Sequence, residues 1–132
     1  MIAEYQEQAE QGQAEAQFQL GQVLFHGLGV SIDEDAALIW FHKAADQGYV
    51  RARYILGEIY KEGRVTPQDL VQSHMWFSLV ARSDDDLATA ARGNCELLEE
   101  YLTPEQLADA QARTAGDGKG KAEGKVEAEG GG

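Results

Sequence analysis

The segment 33–48, DEDAALIWFHKAADQG, decides how the rest of this chain is interpreted. Its apolar residues recur at the three- and four-residue intervals of one α-helical face. These residues are Ala37, Trp40, Phe41, Ala44 and Ala45. Acidic residues open the segment and Gly48 closes it, as expected at the two ends of a helix. The segment therefore predicts an amphipathic helix with enough apolar surface to pack against two neighbours.

The same pattern returns 36 residues later, in the segment 69–81, DLVQSHMWFSLVA. The match extends back through the preceding helix and turn at one fixed offset and without a gap. The matching pairs are Ala9 and Ala45, Gln11 and Gln47, Gly12 and Gly48, Ala16 and Ala52, Leu20 and Leu56, Gly21 and Gly57, Gly27 and Gly63, Asp33 and Asp69, Trp40 and Trp76, Phe41 and Phe77, and Ala45 and Ala81. Such self-similarity predicts a stack of two-helix hairpins.

The stretch before segment 33–48 predicts the first helix of the first hairpin, from Ala14 to Gly27. Gly21 lies in the middle of this helix, at a cost of about 1 kcal/mol relative to alanine. We expect that a neighbouring backbone approaches Gly21 closely and that this contact offsets the cost.

Both second helices are preceded by patterns typical of helix starts. Ser31 and Glu34 form a capping-box pattern before the first of them. Before the other, we expect Thr66 to be the N-cap, Pro67 to occupy the first helical position and Asp69 to complete the box.

The repeat ends after Ala81, and the following sequence predicts closing helices that begin at 83–86, SDDD, and at 103–106, TPEQ. The tail 116–132 has too little apolar surface to fold, so we predict that it is disordered. We predict one domain, 1–115. Its parts are an N-terminal cap 1–12, repeat one 13–48, repeat two 49–82 and closing helices 83–115.

The chain has 132 residues and a formal net charge of -12. This charge argues against nucleic acid as a partner, because phosphate binding requires clustered Lys and Arg. No apolar run is long enough to cross a membrane, and the first residues lack the pattern of a signal peptide. We therefore expect a cytoplasmic protein without a membrane partner, or a periplasmic or secreted one if a signal peptide has been removed.

The candidate catalytic or metal-binding side chains are His26, His42, His74 and Cys95. No histidine has a His or Cys three or four residues away, the spacing that a helical metal site uses. We interpret the histidines as surface or boundary residues, with His42 on the polar side of its helix. Cys95 lies on an apolar stripe near several glutamates, which disfavour a thiolate. The sequence therefore predicts no catalytic residue, no metal and no cofactor.

Residues 14–48 carry the complete motif AxAQxxLGxxLxxGxGVxxDxxxAxxWFxKAAxxG. This motif resembles the Sel1-like repeat family, whose members are related to the tetratricopeptide repeats. The second unit, 52–81, is similar to the bacterial form of the same repeat, and LTPEQLADAQ resembles the closing helix that often follows the last one. The resemblance implies an all-α, right-handed solenoid of antiparallel helical hairpins.

The resemblance also implies a non-enzymatic scaffold that binds a partner protein or peptide on the surface of the successive first helices. Basic residues on that partner would suit the acidic chain. The residues that we place on this surface are Gln19, Gln22, His26, Arg51, Ile55, Glu58 and Glu62. We expect Ile55 to be exposed there. The aromatic residues near its edges are Phe18, Phe25 and Tyr54.

An alternative is a self-associating regulatory subunit of a larger complex, which would use the face of Leu98 or the open end of the stack. The two tryptophans, Trp40 and Trp76, are assigned to the core between helices, since they share one register. We therefore expect that Trp40→Ala unfolds the protein before it reveals anything about function.

Overall fold

The computed structural model describes residues 2–115, and these residues form seven helices and no strand. The helices are α1 (Ile2–Glu10), α2 (Ala14–His26), α3 (Glu34–Asp46), α4 (Val50–Glu62), α5 (Leu70–Ala81), α6 (Leu87–Glu99) and α7 (104–115). From α1 to α6, each helix packs against the next one along the chain. The predicted all-α stack of helical hairpins is confirmed. The predicted tail, 116–132, lies outside the described residues.

Each first helix of a hairpin ends at a glycine in the left-handed conformation. Gly27 has φ 69° and donates its amide proton to the carbonyl of Val23. Gly63 has φ 72° and donates in the same way to Ile59. A Cβ at Gly27 would lie 2.7 Å from a side-chain atom of Ile32. The turn therefore needs glycine both for its backbone conformation and for its close packing.

The second helix of each hairpin starts at an aspartate. The Oδ1 of Asp33 accepts a 3.0 Å hydrogen bond from the amide of Ala36. The Oδ1 of Asp69 accepts a 2.9 Å bond from the amide of Gln72. Both aspartates are therefore N-caps. The prediction that Ser31 and Glu34 form the first capping box was wrong.

The prediction that Thr66 caps α5, with Pro67 at its first position, was also wrong. The reason is a main-chain hydrogen bond that fixes the turn. The amide of Asp69 donates to the carbonyl of Tyr60 at 2.9 Å, which holds the aspartate at the end of α4 and delays the start of α5. The amide of Asp33 makes the equivalent 2.9 Å bond to Leu24.

The capping box predicted at α7 is confirmed. The amide of Gln106 donates to Thr103 Oγ1 at 3.1 Å, and the amide of Thr103 donates to Gln106 Oε1 at 2.9 Å. The backbone amides of Thr103 and Gln106 therefore each have a side-chain acceptor at the start of α7.

Asp69→Ala should lower the free energy of unfolding by about 1 kcal/mol, because it leaves the backbone amide of Gln72 without its side-chain acceptor. Thr66→Ala removes a hydroxyl that caps nothing, so it should change stability by less than about 0.5 kcal/mol. Urea denaturation followed by circular dichroism measures both values. If Thr66→Ala proved the more costly of the two, the assignment of the cap would be wrong.

The core of each hairpin is built around a phenylalanine ring that lies on a glycine. A Cβ added to Gly21 would lie 2.6 Å from Cε1 of Phe41, and one added to Gly57 would lie 2.8 Å from Cζ of Phe77. Both phenylalanines are fully buried. The close neighbour of Gly21 is therefore an aromatic side chain, and the prediction of a neighbouring backbone was wrong.

Candidate functional site

A groove of about 250 Å³ runs between the first helices α2 and α4. We call it the partner groove. It is lined by Gln22, Phe25, His26, Phe41, Ile55, Glu58, Ile59 and Glu62.

The floor of the partner groove is apolar because α3 lies behind both of its walls. Phe41 of α3 and Ile59 of α4 are buried there. The ring of Phe25, on α2, lies 6.1 Å from that of Phe41 between centroids. Phe25 and Ile55 are half-buried, so each presents part of its side chain to the opening. The expectation that Ile55 is exposed was therefore only partly right.

One wall of the partner groove carries two carboxylates, Glu58 and Glu62, one helical turn apart on α4. The pKa of Glu58 is raised above its ordinary value of 4.5, first by partial burial of the carboxyl and then by repulsion from Glu62, against the opposing effect of Lys61. The Glu58 side chain nevertheless remains exposed, so a partner can reach its carboxyl. The wall therefore holds negative charge that a cation would stabilise.

A cation from this chain lies beside the opposite wall. The guanidinium of Arg64 stands 5.8 Å from the centroid of the Phe25 ring. It is also paired with Glu34 at 2.7 Å. Arg64 therefore already has a carboxylate partner of its own, outside the lining of the groove.

Five of the seven surface residues predicted from the sequence come together in the partner groove: Gln22, His26, Ile55, Glu58 and Glu62. Gln19 lies elsewhere, beside α1 at the N-terminal end of the stack. Arg51 is exposed, and its guanidinium lies 5.1 Å from the centroid of the Phe18 ring. The structure therefore does not place Gln19 or Arg51 with the other five.

The predicted positions of the nearby aromatic residues need correction. Phe18 is only 1% exposed and belongs to the core, so its placement at the edge of the surface was wrong. Tyr54 is half-buried against Phe77, with 5.2 Å between ring centroids. Phe25, predicted near the edge of the surface, lies within the lining of the groove. Phe41 and Ile59 also line the groove, and the sequence analysis did not assign them to it.

His74 of α5 and Cys95 of α6 belong to one network of polar contacts between these two helices. His74 is 2% exposed, so its assignment to the surface or boundary was wrong. A carboxylate can only accept, so Nε2 of His74 donates to Glu99 Oε2 at 2.8 Å. Nδ1 lies 3.2 Å from Ser78 Oγ, which in turn is 3.5 Å from Cys95 Sγ.

This network does not activate the cysteine. The pKa of the Cys95 thiol is raised, first by burial and then by repulsion from Glu99 and Glu96, although the hydrogen bond with Ser78 opposes this. A raised pKa keeps the sulfur protonated and weakly nucleophilic. The residues around Cys95 therefore link α5 to α6 and show no activated nucleophile.

His42 is half-buried, which is a boundary position as predicted. Its Nε2 lies 2.8 Å from the hydroxyl of Tyr60, and its ring meets that of Trp76 edge to face at 5.9 Å. Burial lowers the pKa of His42, against the attraction of Asp46. Among residues 2–115, no three His, Cys, Asp or Glu side chains cluster in a way that could hold a metal ion.

The Leu98 face named for self-association is not a free surface. Leu98 is 2% exposed and packs in the core with Phe77 and Val80. Within the described part of the chain, no helix is both long enough and apolar enough to span a bilayer.

Two matching hairpins with a groove between their first helices define a helical-repeat solenoid. The family model of the Sel1 repeat matches residues 14–49 and 50–85. The chain therefore belongs to the Sel1 repeat family. Sel1 repeats are generally protein–protein interaction modules, and proteins of this family are typically non-catalytic scaffolds.

Solved structures agree with this assignment. The fold is similar to that of c5321, a protective antigen of uropathogenic Escherichia coli strains with an SLR fold, at 33% sequence identity and a TM-score of 0.82. That match covers 96% of this chain and 27% of c5321, so this chain spans about a quarter of that protein's length. A Sel1 repeat protein from Oxalobacter formigenes shares the fold, at 22% identity and a TM-score of 0.62, with 84% of this chain and 97% of that chain covered. A comparison with curated proteins found no match.

Proposed function

We propose that this protein is a non-catalytic interaction module that binds a segment of a partner protein in the partner groove. The observation that carries the proposal is the pair of carboxylates, Glu58 and Glu62, beside the apolar floor of Phe41 and Ile59. The segment that suits this surface carries Lys or Arg together with an apolar side chain.

The physical argument starts from the raised pKa of Glu58. Part of the shift comes from repulsion by Glu62, and a bound cation would offset that repulsion. A hydrogen bond between a guanidinium or ammonium group and a carboxylate is among the stronger ones in proteins. The aliphatic part of a Lys or Arg side chain can cover Ile55 while its charge reaches Glu58. The groove therefore favours a basic amphipathic segment over a purely apolar one.

The carboxylates can be tested with a matched pair of double variants. In Glu58→Gln/Glu62→Gln, loss of two charge-assisted contacts should weaken partner binding by about tenfold or more. Glu96→Gln/Glu100→Gln makes the same charge change at the same spacing in the sequence, at the C-terminal end of α6 and outside the groove, and should bind like the wild type. The partner is captured from lysate of the source organism with each protein, and its affinity is then measured by calorimetry.

Equal weakening by both double variants would show that the net charge of the protein, and not this groove, attracts the partner. Unchanged binding by Glu58→Gln/Glu62→Gln would contradict the proposal. Binding should also weaken on acidification, starting at a higher pH than for an ordinary glutamate, because the pKa of Glu58 is raised and the protonated form carries no charge. Added salt should weaken it further.

A further inference from the structure

A second groove lies at the N-terminal end of the stack, between α1 and α2. We call it the N-terminal groove. It encloses about 380 Å³ and is lined by Ile2, Tyr5, Gln19, Val23, Leu28 and Gly29. Leu28 is 59% exposed, and Ile2 and Tyr5 are half-buried. Large apolar side chains thus face an opening at an end of the stack.

The 36-residue offset of the repeat identifies this surface. Tyr5, Gln19 and Val23 line the N-terminal groove, and the residues one offset later line the partner groove. Those later residues are Phe41, Ile55 and Ile59. In the partner groove they face a wall formed by α2. The N-terminal groove is therefore formed by the same repeat positions as the partner groove. Among the described residues, however, no helix lies against it in the place that α2 takes in the partner groove.

The two hairpins of this chain show which residues a helix in that position carries. In each, a ring on the second helix packs on a glycine of the first helix, and the residue four positions after that glycine lies beside the ring. The two sets are Gly21, Phe25 and Phe41, and Gly57, Lys61 and Phe77. The ring centroids of Phe25 and Phe41 are 6.1 Å apart, and Lys61 Nζ lies 6.0 Å from the Phe77 centroid. Tyr5 is the corresponding ring of the N-terminal groove.

We propose that the N-terminal groove binds an amphipathic helix from another polypeptide, which places a glycine on Tyr5 and a phenylalanine or lysine four residues further on. Small residues are needed at that point because the ring leaves no room for a Cβ in either hairpin. The partner therefore carries the pattern Gly-x-x-x-Phe or Gly-x-x-x-Lys on the apolar face of a helix. This inference is independent of the partner groove.

The register of the repeat argues against a second copy of this chain as the occupant. α6 follows α4 at the 36-residue offset of the repeat, and Gly93 takes the position of Gly57. α6 therefore corresponds to the first helix of a hairpin. α7 follows in the register of a second helix. The C-terminal end of a second copy would thus present a second helix, whereas the N-terminal groove needs a first helix.

The probe is a fluorescent peptide of residues 13–28, which contains Gly21 and Phe25, acetylated and amidated at its ends. A lactam bridge between Glu15 and a lysine placed at position 19 offsets the cost of starting a short helix in water. We expect saturable binding to the intact protein by fluorescence anisotropy. In NMR spectra of the protein, the signals of Tyr5, Val23 and Leu28 should shift.

Leu28→Asp places a charge in the N-terminal groove at an exposed position, so the variant should fold normally and bind the peptide at least about tenfold more weakly. Leu97→Asp changes a leucine that is 46% exposed at the other end of the stack and should leave the affinity unchanged. A peptide with Gly21→Leu should not bind, because its side chain would meet the Tyr5 ring.

Three results would overturn the proposal. They are no saturable binding, binding that Leu28→Asp does not weaken, and NMR shifts confined to Ile55 and Ile59 of the partner groove. Sedimentation at increasing concentration tests whether a second copy of this chain occupies the N-terminal groove. Dimers that Leu28→Asp abolishes would assign the groove to a second copy and would also overturn the proposal.

Discussion

Gly57→Ala is expected to lower the free energy of unfolding by about 1–3 kcal/mol, although the same change in an ordinary helix raises it. A Cβ at Gly57 would lie within 2.9 Å of three atoms of the Phe77 ring. Phe77 has no exposed surface and packs with Val80 and Leu98, so its ring cannot move aside freely. The cost of overpacking then exceeds the gain of up to about 1 kcal/mol from a better helix former.

The chain offers a matched control in Gly93, which occupies the same position of the repeat in α6. A Cβ at Gly93 would meet no atom within 4 Å in the described part of the protein. Gly93→Ala should therefore raise the free energy of unfolding by about 0.5–1 kcal/mol. Urea denaturation of both variants measures the difference.

A double-mutant cycle with Phe77→Leu isolates the contact between ring and glycine. The smaller side chain should leave room for the new Cβ, so Gly57→Ala should cost less in the Phe77→Leu background than in the wild type. Stabilisation by Gly57→Ala to the extent seen for Gly93→Ala would contradict the tight packing of the ring.

The hairpins could be predicted from the sequence because their positions repeat. Gly21 and Gly57, with Phe41 and Phe77, occupy equal places in two units, and a single offset relates all of them. The nature of the contact could not be predicted. A glycine in a helix indicates close approach, but only the packed structure shows that a ring approaches it. The helix starts were misplaced for a similar reason, since the N-cap is fixed by a main-chain hydrogen bond across the turn.

The packing of α5 of repeat two against the closing helix α6 was less predictable, because the repeat pattern ends after Ala81. His74 stands where the first unit has Leu38, and the sequence does not show that Glu99 of a different helix will satisfy it. The alternative of self-association needs a free Leu98 face, although Leu98 lies in one core cluster with Phe77 and Val80. Both errors concern residues whose partners lie in α5 or α6, beyond the range of helical periodicity.

The partner groove was predictable to the extent that it follows from the register of the first helices. Gln22, Ile55 and Glu58 come together because they stand at equivalent faces of α2 and α4. Gln19 stands one offset before Ile55 and therefore lines the N-terminal groove, whereas Arg51 is kept apart by a contact that the register does not encode. α1 lies beside Gln19, and the Phe18 ring lies beneath the guanidinium of Arg51.

The two tryptophans share one register but not one environment. Trp76 is 6% exposed and lies under His42, whose ring is 5.9 Å away, and the buried Arg53, whose guanidinium is 5.9 Å from the Trp76 ring. Trp40 is half-buried and packs against the small cluster that joins α1 to α2, with Lys43 Nζ 4.8 Å from its ring. The stack therefore encloses Trp76 on more sides than Trp40.

Trp76→Ala should consequently lower the free energy of unfolding by about 3–5 kcal/mol, since it opens a cavity in the core and removes the ring beneath Arg53. Trp40→Ala should cost less, about 1–2 kcal/mol, because part of its ring is already in water. Its effect should also be local: hydrogen exchange should quicken in α1 and leave the amides of α4 and α5 protected. Equal losses of stability, or loss of protection throughout the stack in Trp40→Ala, would restore the view that both tryptophans hold the core together in the same way.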